Sequence, residues 1–294
     1  MKEFDIPVPW GYIAAVSSGN PAGQPILVVH GIQDNAGSFD RLLPLMSSDY
    51  FYVCIDLPGH GRSSHYPPGL PLQLLNYVTC VKRVVDHLNW TRFYYIGHSF
   101  GAYIGIHFAG AFPEMVEKLV LLDAFYSTIT HVTKTAQTFR QCALDFLAHE
   151  QRLKKGVPPI YTYDEAVKKI TSNRYSILDE ESAKILLKRS LVETGTGGYK
   201  LSTDQRLKLS LQPYFTTKQQ KNFLDRISCP VLTVFANSTY DYSESQRNTH
   251  EYLYQNVKNY RFKVVQGQHD VHLQHPERVA PLVNEFLIDR KCKL

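Results

Sequence analysis

Long apolar runs are missing from this sequence, and so is any block of like charge. No hydrophobic stretch approaches the roughly 20 residues that cross a bilayer. The opening Met1-Lys2-Glu3-Phe4-Asp5 lacks the apolar core of a secretory signal. Neither a membrane span nor export is therefore expected. Cysteine is scarce: five residues at positions 54, 80, 142, 229 and 292, odd in number and widely spaced. That spacing argues against a disulfide framework or a thiolate metal site and for reduced core thiols inside the cell. The net charge is only +5, with Lys and Arg scattered, so a nucleic-acid footprint is not indicated. What remains is an ordinary globular composition, 44% hydrophobic and 20% charged over 294 residues. This is enough chain for one large core carrying an inserted subdomain.

The most informative stretch is 92–109, RFYYIGHSFGAYIGIHFA. Phe93-Tyr94-Tyr95-Ile96 has the aromatic and β-branched composition of a buried strand. Gly97-His98-Ser99-Phe100-Gly101 follows, and then a helical pattern with small residues at Ala102, Gly105 and Ala109. Strand, G-x-S-x-G and helix in that order predict a nucleophile elbow. The turn is tight enough to strain its apex residue and to exclude a Cβ two positions before and after it. Ser99 is thereby expected with its Oγ exposed at a helix N-terminus, where developing negative charge is favoured.

Taken in order, 4–16 reads as two edge strands around Pro7, Pro9 and Gly11, and 25–29 as a strand buried on both faces. That strand runs into His30-Gly31-Ile32, where the backbone N–H of Ile32 is placed to join that of Phe100 as an oxyanion donor. His30 itself is read as a brace for this loop. The next strand, 50–57, ends in Pro58-Gly59-His60-Gly61, which fits neither a Walker A nor a Rossmann fingerprint. Leu75, Val78, Val81, Val85 and Leu88 give 72–88 helical spacing, and 116–122 is a further strand ending at Asp123. Alternating strands and helices predict a right-handed, mostly parallel α/β sheet with helices on both faces.

The alternation stops at 125 and resumes after Cys229-Pro230, with strands at 231–235 and 262–265 and helices at 245–254 and 279–288. The expected division is a core from 1–125 and 223–294, with 126–222 inserted as a wholly helical lid. Gly195-Thr196-Gly197-Gly198 inside the insertion has no strand before it, so a flexible loop is expected there and not a phosphate cradle.

The partners of Ser99 must come from loops at the carboxyl ends of the strands. His269, just past Gly267, has the position of the catalytic base, ahead of His272 and His275. A zinc site from these three histidines is the rival reading. It lacks a fourth ligand, lies on a loop and leaves Ser99 unexplained. For the acid that orients the imidazole, Asp241 after the 231–235 strand is preferred and Asp123 is the alternative.

Several segments together resemble the α/β-hydrolase superfamily. They are His30-Gly31 with Asp34-Asn35, Asp56-Leu57-Pro58-Gly59-His60-Gly61, Gly97-His98-Ser99, Leu121-Leu122-Asp123 and Pro276-Glu277. Pro7-Val8-Pro9-Trp10-Gly11 and Asp204-Gln205-Arg206-Leu207 point within it to the serine hydrolase-like (kraken-like) proteins. The resemblance runs nearly end to end and implies the α/β-hydrolase fold. It also implies Ser99 as nucleophile and His269 as the histidine seven residues before Pro-Glu. Relatives often carry a bulky aromatic at the position of Ile32. The expected activity is hydrolysis of an ester or thioester of an apolar acid through an acyl-enzyme, without metal or cofactor. A non-catalytic binding protein on the same fold is the alternative. Cys292-Lys293-Leu294 resembles a peroxisomal Ser-Lys-Leu address, so an import receptor is an expected partner and the peroxisome or cytoplasm the expected location.

Overall fold

The apolar runs become the middle strands of one eight-stranded sheet in a computed structural model. It describes residues 1–124, 134–156, 158–172, 176–195, 197–209, 215–240 and 244–289. The N-terminal strands β1 (Lys2–Val8) and β2 (Gly11–Gly19) pair antiparallel, and β2 pairs antiparallel with β4 (Phe51–Ile55). From β4 the sheet continues in parallel through β3 (Pro25–Val29), β5 (Phe93–His98), β6 (Val116–Leu122), β9 (Val231–Ala236) and β10 (Tyr260–Val265).

Strand residues alternate between two cores, as a pleat requires. Leu27, Val29, Val53, Ile55, Tyr95, Leu119 and Leu121 face one side, covered by α1 (Leu74–His87) and α2 (Phe100–Ala111). Ile26, Val28, Cys54, Ile96, Val120, Leu122 and Val234 face the other, under α10 (Pro276–Ile288). Burial on both faces is why these strands read as unbroken apolar runs. Lys118 lies on the second face yet is buried. Its Nζ donates to the carbonyls of Phe286, Leu287 and Asp289, where a cation suits a helix C-terminus.

Strands β6 and β9 pair directly, Leu119 against Val231, although more than a hundred residues separate them. The chain between them holds α3 (Thr135–Lys155), α4 (Tyr163–Ser172), α5 (Glu180–Ser190) and α6 (Thr217–Asp225). It is not wholly helical. A hairpin of β7 (Leu191–Glu193) and β8 (Tyr199–Leu201) lies within it, and Gly197 and Gly198, both hydrogen-bonded to Thr194, belong to its turn. Three-residue strands are too short to declare themselves by alternation. After β9 come α7 (Asn237–Tyr240) and α8 (Glu244–Asn256), and after β10 the short α9 (Val271–Gln274).

The insertion is fastened to the core by a buried ion pair that the sequence did not announce. Arg189 on α5 directs Nε and Nη2 at the Asp56 carboxylate, with Nη2 2.9 Å from Oδ2, and Nη1 at Glu3 on β1. Asp56 also accepts the N–H groups of Ala36 at 2.7 Å and Arg62 at 2.9 Å, so this one carboxylate joins two loops and the insertion. Cys54, Cys80 and Cys229 are buried free thiols, and Cys142 is a partly exposed one. Among the described residues no helix is long and apolar enough to cross a membrane. Cys292, Lys293 and Leu294 lie outside the described residues.

Candidate active site

Between β5 and α2 the backbone turns through Ser99, at φ 50° and ψ −114°. An L-residue adopts that conformation only when its surroundings impose it. Two glycines make the turn geometrically feasible. A Cβ on Gly97 would sit 2.5 Å from the backbone of Gly101 and Ala102, and one on Gly101 would sit 2.1 Å from the Val29 carbonyl oxygen. The turn is pinned from the neighbouring strand, where the Ser99 N–H donates to the Leu122 carbonyl at 3.0 Å. The Gly31 backbone passes so near that a Cβ there would lie 3.1 Å from the Ser99 Cβ. Of the two expected oxyanion donors, Ile32 follows Gly31 in this loop and Phe100 follows Ser99 as the first residue of α2.

His269 reaches the elbow from the loop after β10. Its Nε2 is 2.9 Å from Ser99 Oγ and its Nδ1 is 2.6 Å from Asp123 Oδ2. This geometry defines a tautomer: Nδ1–H donates to the carboxylate, and Nε2 is left to accept the serine proton. Burial by itself pushes the His269 pKa down. The hydrogen bond and charge of Asp123, with the charges of Asp270 and Asp34, outweigh it, and the pKa lies above the ordinary histidine value.

Among the described residues the carboxylate on His269 is that of Asp123, the alternative; the preferred Asp241 lies outside the described residues. The reason is spatial adjacency. Leu122 pairs with His98 across neighbouring strands, so the residue after each strand opens beside the other. Asp123 also has positive φ, at 50°, and its second oxygen accepts the Ala236 N–H and the Thr239 hydroxyl, both at 2.6 Å. The segment after β9 thus contributes donors that hold the acid. Thr239 carried no recognisable signal in the sequence, because its role depends on a strand packed alongside.

The other histidines separate by environment. His30 accepts the Leu57 N–H at 2.9 Å through Nε2 and bonds the Gly31 carbonyl at 2.7 Å through Nδ1, so it braces the oxyanion loop. Burial lowers its pKa to about 3 and keeps it neutral. His272 is fully buried, its ring 4.0 Å from that of His98. His275 is exposed beside Glu277. His269 is committed to Ser99 and Asp123, His272 stacks on His98 and His275 sits beside Glu277, so among the described residues these three do not form one ligand set. Asp34, His98 and Asp270 do converge, with potential ligand atoms within 4.8 Å of one another. This buried set lies behind His269, whose carbonyl receives a 3.0 Å hydrogen bond from His98 Nε2. Asp270 in turn accepts the Ser176 hydroxyl at 2.6 Å.

The sequence and the fold have counterparts among known proteins. A family model described as alpha/beta hydrolase fold matches residues 24–158. A probable serine hydrolase of Drosophila melanogaster is 35% identical over 97% of this chain and 87% of its own length. The human serine hydrolase-like protein 2 is 33% identical over 98% of this chain and 94% of its own. The crystal structure of a hypothetical protein from Pseudomonas aeruginosa PAO1 superposes with a TM-score of 0.88 at 30% identity, covering 98% of this chain and 100% of that one. The chain belongs to the α/β-hydrolase fold family, and within it to the serine hydrolase-like proteins.

Proposed function

We propose that this protein is a serine hydrolase that cleaves a carboxylic ester or thioester of an apolar acid through an acyl-enzyme on Ser99. The observation that carries the reading is the continuous line from Ser99 Oγ through both nitrogens of His269 to Asp123, at 2.9 and 2.6 Å. His269 Nε2 takes the hydroxyl proton as Oγ attacks the carbonyl carbon, and the resulting imidazolium is held by the Asp123 charge. The oxyanion forms between the N–H groups of Ile32 and Phe100, at the start of α2. On collapse the carbon–heteroatom bond breaks, and the leaving alkoxide or thiolate takes the proton from His269. Water then repeats the sequence on the acyl-enzyme, releasing the acid and restoring Ser99. The names borne by the relatives support a serine nucleophile, and acyl transfer to water is chemistry that a Ser, His and Asp line performs.

The test is labelling with a fluorophosphonate, followed by a panel of esters and thioesters. Wild-type protein is expected to label once and to turn over members of the panel. Ser99→Ala should do neither, with turnover lower by on the order of 10⁴- to 10⁶-fold and an unchanged melting temperature. Turnover by the purified alanine variant at the wild-type rate would sink the mechanism.

A further inference from the structure

Among the described residues five that are not glycine have positive φ: Gln33, Asn89, Ser99, Asp123 and Asn259. Asparagine tolerates that region because its short amide bonds the nearby backbone. Setting the two asparagines aside leaves Ser99, Asp123 and Gln33. Two of these are the proposed nucleophile and the acid on His269. Backbone strain of this kind collects at functional sites. The third residue stands outside the triad.

Gln33 follows Ile32 in the oxyanion loop. The Asp34 N–H donates to the Gly31 carbonyl at 3.2 Å, which closes a turn with Ile32 and Gln33 at its centre. Of those two only Gln33 has positive φ, at 62°, the pattern of a type II turn. Glycine or asparagine meets that demand at little cost, whereas a glutamine strains the backbone. The fold recovers little of this through the side chain. Gln33 is exposed, and its Nε2 makes one long contact, 3.5 Å, to the Leu207 carbonyl. Leu207 lies in the short turn Gln205–Lys208 of the insertion. The carboxamide therefore lies between the oxyanion loop and the insertion, with Oε1 and a second N–H uncommitted among the described residues. Two residues earlier the same loop passes Ser99, where a Cβ on Gly31 would lie 3.1 Å from the serine Cβ. Successive Cα atoms are about 3.8 Å apart, so Gln33 addresses atoms within a few bonds of a carbonyl held at Ser99.

We infer that Gln33 is a specificity-determining residue: its carboxamide bonds a hydroxyl, keto or amide group that the acyl substrate carries close to its scissile carbonyl. The inference rests on the hydrolase reading and narrows it to apolar acyl chains with one polar substituent near the carbonyl. A plain alkyl group there displaces water from the amide and returns nothing. A hydroxyl restores both bonds, donating to Oε1 or accepting from Nε2. The substituent belongs to the acyl side because the leaving atom takes its proton from His269 Nε2, on the loop after β10. Gln33 extends from the loop after β3, beside the oxyanion.

The test compares p-nitrophenyl 3-hydroxybutyrate with p-nitrophenyl butyrate, esters that differ by one hydroxyl. Wild-type protein should favour the hydroxylated ester in kcat/KM by about 3- to 10-fold, the worth of one hydrogen bond. Gln33→Asn suits the turn but draws the amide back by one methylene. It should melt above wild type and bring the ratio close to one, and Gln33→Gly should also bring the ratio close to one. A second measurement needs no turnover. By saturation-transfer NMR, Ser99→Ala should bind 3-hydroxybutyrate better than butyrate and lose the difference when Gln33→Asn is added. Equal rates on the two esters, or a preference that survives both substitutions, overturn the inference. So does a lower melting temperature in Gln33→Asn, which would make the side chain a prop of the fold. If neither ester is hydrolysed but the acid preference responds to Gln33→Asn, the hydrolase reading fails and the role of Gln33 stands. If neither ester is hydrolysed and the acids bind alike, both fail.

Discussion

Helices α2 and α3 border one cavity of about 490 Å³, the first with His107 and Ala111 and the second with Phe139 and Phe146, and are built on opposite terms. Of the twelve residues in α2, ten are buried, from Gly101 to Gly110. Of the twenty-one in α3, none is fully buried, and Phe139, Leu144, Leu147 and Leu153 are exposed. The first helix is clamped between the sheet and its neighbours and carries Phe100 beside the nucleophile at its start. The second lies over the core with few apolar side chains committed to it. Close packing leaves a group almost no room to shift, which is what a reacting centre needs. Loose seating lets a wall adapt, and segments with little burial occupy the low-stability end of a fold. On the proposed mechanism the chemistry would sit at the start of the rigid helix, away from the loosely seated one.

Substitutions can break or sharpen this contrast. The largest effects belong to the rigid side. His269→Ala and Asp123→Asn should each lower kcat by on the order of 10³- to 10⁴-fold, measured on a short ester. The pH profile adds a sign. His269 must be neutral to accept the Ser99 proton, and its pKa is raised, so activity should climb with pH through a midpoint above the usual histidine value of about 6.5. In Asp123→Asn burial again pulls the pKa down, opposed only by the Asp270 and Asp34 charges, and the residual rate should show its acid limb at lower pH. A limb that does not move would detach Asp123 from the imidazole.

Next comes the fastening between the two regions. Asp56→Asn takes the buried anion away from Arg189, leaving it the half-exposed Glu3, and should cost about 3–5 kcal/mol by denaturant titration. Protease cleavage should then concentrate in the insertion before the core. A loss under 1 kcal/mol would show that the insertion holds itself in place. The direct comparison is smaller still. Ile104→Ala in α2 should cost about 2–5 kcal/mol by creating a cavity. Leu147→Ala in α3 should fall within about 0.5 kcal/mol of wild type. Equal losses would erase the distinction between the helices.

The sequence made the same division visible, though unevenly. Strands buried on both faces were legible because every residue in Ile26-Leu27-Val28-Val29 is apolar, and Ser99 because the glycine spacing encodes a steric need. His269 followed from its place after the last strand. The acid did not. Its identity depends on which strand end opens beside His98, a fact of register between β5 and β6 that no local pattern carries. Both Asp123 and Asp241 suited the chain order, and Asp241 was preferred for its place ahead of the helix that leads into the last strand; Asp123 is the carboxylate seen on His269, and Asp241 lies outside the described residues. Thr239 and Arg189 were hidden for the same reason, since each acts across more than a hundred residues of sequence. In the insertion the helices were legible in outline, while the three-residue strands of its hairpin were not.

The hydrogen bonds of the triad also set a calendar. Ser99 and Asp123 lie close together in sequence on adjacent strands, but His269 stands 146 residues from the acid and 170 from the nucleophile. During synthesis from the N-terminus, the elbow and the acid leave the ribosome long before the loop that carries the base. Until β10 adds itself to the sheet edge, the serine has no proton acceptor. On the proposed mechanism a partly made chain would be chemically silent, and hydrolysis would begin only as the last parallel strand docks. Onset of turnover in a translation reaction therefore marks completion of the sheet.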